Sequence, residues 1–189
     1  MIVMKKMFLS SILLILVFTL GRPYKTRAQS LTLNDIKSQM VKDWERAKAY
    51  TILYLNTMPA DKYSFRPVDS VKRSFAQQML HLASGNLFLM SKASDQPPPA
   101  FLGFDLDQSP TAQTKDSVMY YVNASYDYCI NAVKTSDVAK WGEIKDVFGF
   151  KETRFAMLEK VFEHQSHHRG QTTIYIRLQG IKPPQENLF

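Results

Sequence analysis

Four stretches of the chain place apolar side chains at steps of three and four, the spacing that gathers them on one face of an α-helix. The first covers Leu33–Thr57, where Ile36, Met40, Trp44, Ala47, Thr51 and Leu55 share a stripe. Thr32 or Asn34 can cap its start, and Met58-Pro59 ends it, since a proline disfavours helix at the residue before it. The second opens at Ser74, with Gln77 at the capping-box position, and runs to about residue 92 through Phe75, Met79, Leu82, Leu87 and Phe88. The third spans about residues 115–134, with Val118, Tyr121, Val122, Tyr128, Cys129, Ile130 and Val133. The fourth begins at Thr153 and runs to about residue 179. Gly180 is its expected stop, and Pro183-Pro184 prevents resumption. The connections are long. Residues 61–73 carry Tyr63, Phe65, Arg66 and Pro67, too aromatic for a tether. Residues 100–114 follow a Pro97-Pro98-Pro99 break and read as a crossover or lid. Residues 135–152, with Trp141, Phe148 and Phe150, have room for a short hairpin or an extra helical turn. The pattern predicts an all-α chain, a four-helix bundle with long connections.

The first thirty residues do not share this pattern. Lys5 and Lys6 precede an uncharged apolar run over residues 7–20, and Thr26-Arg27-Ala28 offers small residues before Gln29. That run is too short for a comfortable membrane span and suits a signal peptide over residues 1–28. A domain over residues 29–189 would then be exported, periplasmic or extracellular, with no stable membrane span after cleavage.

Charge and cysteine content narrow the function classes. The chain has a formal net charge of +7. Lys5, Lys6, Arg22, Lys25 and Arg27 are five basic residues within residues 1–28, where no acid occurs. Without them the remainder carries only +2, which is not the electrostatic footprint of a nucleic-acid binder. Cys129 is the single cysteine, which excludes an internal disulfide, a cysteine-rich metal site and a CxxC redox motif. It falls within a helical apolar pattern and reads as a buried thiol.

Chemistry concentrates in residues 163–180, EHQSHHRGQTTIYIRLQG, which hold three of the four histidines. His164 and His168 are i and i+4 on a helix, so both imidazoles can face one metal ion. A histidine pair on an apolar face is equally what hydrogen-bonded core residues look like, and spacing alone leaves both readings open. His167 lies about 100° from His168 and faces elsewhere. Gln165 stands where a zincin would have its general-base glutamate, so that chemistry is absent. Glu163 points off the ligand face. Arg169 and Arg177 could meet an acidic substrate group, but read more simply as a solvated helix face or an internal ion pair.

The run His164-Gln165-Ser166-His167-His168-Arg169-Gly170-Gln171, followed by Leu178-Gln179-Gly180-Ile181-Lys182-Pro183-Pro184, resembles the DinB/YfiT-like superfamily. Tyr63-Ser64-Phe65-Arg66-Pro67 resembles the connector of that family, and the segment from Phe75 to Ala83 resembles the helix bearing its first histidine. The resemblance spans about residues 33–185. It implies a four-helix bundle with a divalent metal ion, Zn, Ni, Mn or Fe, held by His81, His164 and His168, with His167 at a non-ligand position. It also implies a metal-dependent hydrolase or thiol-transferase-like enzyme acting on a small-molecule substrate, and allows a homodimer through exposed helix faces. It assigns no catalytic side chain and no cofactor beyond the metal. The lack of a recognisable base favours an alternative, a non-catalytic metal- or ligand-binding envelope protein.

Overall fold

All four expected helices are present, and each starts at a hydroxyl that accepts a hydrogen bond from a backbone N–H three residues on. In this computed structural model, which describes residues 30–68, 72–100 and 105–189, they are α1 (Leu33–Thr57), α2 (Phe75–Ser94), α3 (Lys115–Thr135) and α4 (Arg154–Arg177). The caps are Thr32, Ser74, Thr114 and Thr153, at 3.1, 3.3, 3.2 and 3.1 Å from the N–H groups of Asp35, Gln77, Ser117 and Ala156. Such caps satisfy donors that the helix itself leaves unpaired. At Thr32 and Ser74 the Asp35 and Gln77 side chains accept in return from the cap N–H, which completes a capping box. Helix α4 stops at Arg177, two residues before the expected end, and the chain turns through Gly180 at φ +73°. The signal segment expected over residues 1–28 lies outside the described residues, as do residues 69–71 and 101–104 of two connections. No helix among the described residues is long and apolar enough to cross a membrane.

Residues 32–189 form one unit, in which α1 and α2 each pack against both α3 and α4. Neighbours in sequence therefore do not all neighbour in space. The connection from α1 to α2 must cross the bundle, which explains its aromatic content. Tyr63 is buried, its hydroxyl donates to the Leu55 carbonyl at 2.7 Å, and its ring meets the Phe75 ring edge-on at 5.1 Å. The Phe65 and Tyr63 carbonyls accept from the N–H groups of Phe75 and Ala76, so the connector also pairs the start of α2. Helix α2 is the most enclosed of the four, with Phe75, Met79, Leu80, Leu82, Leu87 and Met90 fully buried. Trp44 on α1 meets Tyr126 on α3 and Phe162 on α4 edge-on, at 5.8 and 5.2 Å. Cys129 is buried and free, and burial pushes its thiol well above the usual range.

The only sheet among the described residues is a hairpin of β1 (Ile144–Val147) and β2 (Phe150–Thr153), closed by Phe148 and Gly149. Both turn residues have positive φ, +56° and +83°. A two-residue hairpin turn of this kind matches the twist of its strands but ordinarily takes Asn, Asp or Gly at both places. A phenylalanine held in the left-handed region costs about 1–2 kcal/mol. The base of the hairpin is fixed by Arg154, the first residue of α4. Its buried guanidinium donates to the Ala93 carbonyl, Asp95 and Glu143, each at 2.7 Å, and so ties the hairpin to the end of α2.

Arg154→Met keeps the apolar stem and removes these three bonds. Hydrogen bonds to charged partners contribute about 1.5–3 kcal/mol, and both carboxylates here are half exposed, so the loss should be about 2 kcal/mol. It would be read as a lower urea midpoint at unchanged slope. An unchanged midpoint would mean that apolar packing alone holds the hairpin.

Candidate metal centre

The contact between α2 and α4 brings the three singled-out histidines together. His81 comes from α2, and His164 and His168 from successive turns of α4. One nitrogen from each ring lies within 4.8 Å of the other two. Ring centroids are 4.4 Å apart for His164 and His168, 4.6 Å for His81 and His168, and 5.6 Å for His81 and His164. Zinc bonds of about 2.0–2.1 Å in a tetrahedral arrangement put ligand nitrogens roughly 3.4 Å apart, so small side-chain rotations bring the set to ligand distance. His167 is exposed and stays outside this set, with its Nε2 2.9 Å from the Gln171 side-chain nitrogen.

The environment keeps all three rings neutral. Burial is the main cause, and the neighbouring histidines and Arg73 add to it. His164 is brought down to about 4 and His168 to about 3. His81 is also lowered, by burial and Arg73, against an opposing pull from Asp107. A neutral imidazole leaves one ring nitrogen without a proton, free for a metal.

Partners around the rings fix which nitrogen faces inward. Asp107 is buried; its Oδ2 accepts from Arg73 Nε at 3.1 Å and lies 3.5 Å from His81 Nδ1, leaving Nε2 for the centre. Gln78 Nε2 lies 2.8 Å from His168 Nδ1, and the Gln78 amide also touches Gln171. Coordination through His168 Nε2 requires the proton on Nδ1, and hence the Gln78 amide oxygen turned towards it. His164 Nδ1 is buried with no hydrogen-bond partner among the described residues. A bare buried acceptor beside two other neutral imidazoles fits a cation and is otherwise unfavourable. The donor set thus fits a divalent ion of the zinc, nickel, manganese or iron type.

His164 occupies its place because residue 85 lacks a side chain. A Cβ on Gly85 would stand 2.0 Å from His164 Cε1 and 2.5 Å from its Nδ1, so the ring lies directly on the α2 backbone. Gly85 is one turn from His81 on the same helix face. Beyond these residues a cleft of about 560 Å³ opens, lined at one end by His81, His164 and Arg73 and at the other by Phe88, Leu89 and Phe148.

Sequence reasoning singled out the three histidines that the structure brings together and missed their supports. A glycine inside a helical run was a readable signal for Gly85. Nothing local marked Gln78, Asp107 or Phe148. The two arginines separate. Arg177 is exposed, as a solvated face requires. Arg169 is not solvated, and among the described residues it is not one half of an ion pair: it is buried, donates to Gln165 Oε1 at 2.8 Å, and lies 4.7 Å over the Tyr50 ring. Gln165 also accepts from the Tyr126 hydroxyl at 2.8 Å, so it faces the core and not the histidines.

Two outcomes follow for the metal-free protein. Gly85→Ala should displace the His164 ring into solvent and raise its pKa from about 4 towards the ordinary 6.5, as followed by NMR titration of the ring. An unmoved titration would mean that the ring tolerates a methyl group there. Stability should also fall with acid. Because the folded pKa values lie below 6.5, the unfolded chain takes up protons first as pH drops. Stability contributed by the neutral rings is complete above pH 6.5 and is lost down to about pH 4 for His164 and about 3 for His168. Across this range the urea midpoint of wild type should fall relative to that of His168→Leu as pH drops; parallel curves would contradict the assignment.

The DinB superfamily profile matches residues 43–172. Among solved structures, the fold is similar to a DinB-like protein from Bacillus cereus ATCC 10987, at 15% identity and TM-score 0.67 over 79% of this chain and 96% of that one. It is also similar to the DinB-like protein YjoA from Bacillus subtilis, at 20% identity and TM-score 0.58 over 80% of this chain and 96% of that one. No curated protein matches in sequence. At these identities the structures speak for the fold alone, and the fold agrees with the profile: the chain belongs to the DinB superfamily.

Proposed function

We propose that this chain is a metal-dependent enzyme, a hydrolase or transferase, that acts on a small molecule in the cleft beside His81, His164 and His168. The observation that carries the reading is the convergence of three neutral imidazoles, one with a bare buried Nδ1, at one end of that cleft. Three uncharged protein ligands leave coordination positions open. A divalent ion bound there supplies Lewis acidity and lowers the pKa of a bound water or thiol. The chain's own groups position and screen. Asp107 orients His81, Gln78 orients His168, and the α2 backbone at Gly85 fixes His164. Arg73, paired with Asp107, presents a cation at the rim for an anionic group of the substrate.

Residues 1–28 are proposed as a signal peptide, supported by Lys5 and Lys6 ahead of the apolar run over residues 7–20. An exported enzyme meets water far more readily than a low-molecular-weight thiol, which favours hydrolysis. The second reading, a non-catalytic metal- or ligand-binding envelope protein, is favoured by one observation: Asp107, the buried carboxylate of the cleft, is engaged by Arg73 and lies beside His81, so it is not a free base.

Titration of chelator-stripped protein with Zn²⁺, Ni²⁺, Mn²⁺ and Fe²⁺ tests both. A single ion per chain is expected, with affinity lowered at least about a hundredfold in His81→Ala, His164→Ala and His168→Ala. Absence of binding by all four metals would remove the metal reading. A metal-loaded protein that turns over no ester, amide or thiol-transfer substrate would favour the binding role.

A further inference from the structure

The hairpin tip brings a strained aromatic residue to the mouth of the cleft. Phe148 has φ +56° in a two-residue turn, and its side chain is 79% exposed, so burial does not offset the strain. Asn or Asp would close the same turn without it. Strain of this kind persists where the surrounding structure holds it and gathers at ligand-binding sites. The Phe148 ring lies nearly parallel to that of Phe88, at 5.4 Å and 22°. Phe88 is seven residues from His81 on α2, two turns along the same face, with Gly85 between them. One stripe of α2 therefore runs from a histidine of the candidate centre, past the glycine that seats His164, to an aromatic platform. The hairpin places a second ring on that platform. Across the cleft the surface passes from His81, His164 and Arg73 to Phe88, Leu89 and Phe148.

We propose that Phe148, braced by its stack on Phe88, forms an aromatic clamp whose gripping surface is the exposed face of the Phe148 ring, and that it selects substrates with a planar, apolar group, whose polar end reaches the three histidines. The clamp deepens the proposed function and rests on the cleft being the substrate site. The cleft, about 560 Å³, fits a small molecule. Its two unlike ends suit an amphipathic one, an aryl or similarly flat group joined to a metal-binding head.

Two probes with the same head and different tails isolate the clamp. Benzohydroxamate and acetohydroxamate both chelate divalent ions through the hydroxamate, and only the first carries a ring. Calorimetric titration of the metal-loaded protein should show benzohydroxamate binding about tenfold tighter. Phe148→Asn keeps a residue that accepts the left-handed turn and removes the ring. It should bring the ratio close to unity, leave acetohydroxamate binding and metal content unchanged, and leave the melting temperature equal or higher. Phe88→Leu should lower the same ratio. An aryl preference that survives Phe148→Asn, or none in the wild type, overturns the clamp while the metal reading stands. If the wild type binds no metal, the metal reading fails and the clamp is judged separately. Saturation transfer from the metal-free protein to the phenyl protons of benzohydroxamate must then be seen in the wild type and lost in Phe148→Asn. Its absence in the wild type overturns the clamp on its own.

Discussion

The candidate centre depends on one close approach, the His164 imidazole lying on the backbone of α2 at Gly85. A glycine within a helix costs roughly 0.5–1 kcal/mol relative to alanine, and here the absent methyl group is the space the ring occupies. If α4 stood farther from α2, His164 and His168 would remain one turn apart and His81 would lie out of reach. The i, i+4 pair is a property of one helix. The third nitrogen comes from the packing of two, and Gly85 sets that distance. Phe75, Met79 and Leu82 on α2, and Met157, Leu158 and Val161 on α4, are buried in the common core that holds the two helices together.

Helix α4 serves two polar systems from adjacent faces. His164 and His168 look towards α2. Gln165 and Arg169, one position further on in each turn, look towards Thr51 on α1 and Tyr126 on α3. The Tyr126 hydroxyl lies 2.7 Å from the Thr51 hydroxyl, so α1, α3 and α4 are joined through a single buried chain of contacts. A partly satisfied network in a core is costly, and a satisfied one fixes the rotation of each helix about its axis. The rotation of α4 decides where both imidazoles point. The core network and the histidine cluster thus set the same degree of freedom, and Gln165 stands where a zincin helix would carry its general base.

The helices were legible in the sequence because their signals are local. Thr32, Ser74 and Thr153 begin helices, Gln77 stands at the capping-box position after Ser74, and Pro59 follows the C-cap Met58 of α1. The three histidines were legible through spacing and the resemblance to the family. Arg169 was misplaced because hydrophobic periodicity treats an arginine as a surface residue. On α4 the buried positions recur at helical steps yet include Gln165, His168, Arg169 and Thr172. Asp107 reaches His81 only because the chain between α2 and α3 folds back through the short 3₁₀ turn at Leu106–Gln108, a long-range outcome with no local mark. The hairpin lacked the Asn-Gly or Asp-Gly pair that announces such turns, and the Phe148 in its place is itself the informative departure.

The charge arrangement explains why a neutral ligand set suits the proposed chemistry. Asp107 is the buried carboxylate nearest the rings, and its charge is matched by Arg73. Three imidazoles held below their ordinary pKa contribute no charge of their own. A divalent ion among them would keep its full positive charge in a partly buried site, where screening by water is weak. Carboxylate ligands would have cancelled part of that charge and with it part of the pull on a bound water or an anionic head. The same balance bears on selectivity. With the electrostatic demand concentrated at the histidine end, the Phe88–Phe148 surface has no substrate charge to meet, and in the proposed function discrimination among substrates would pass there to shape and stacking.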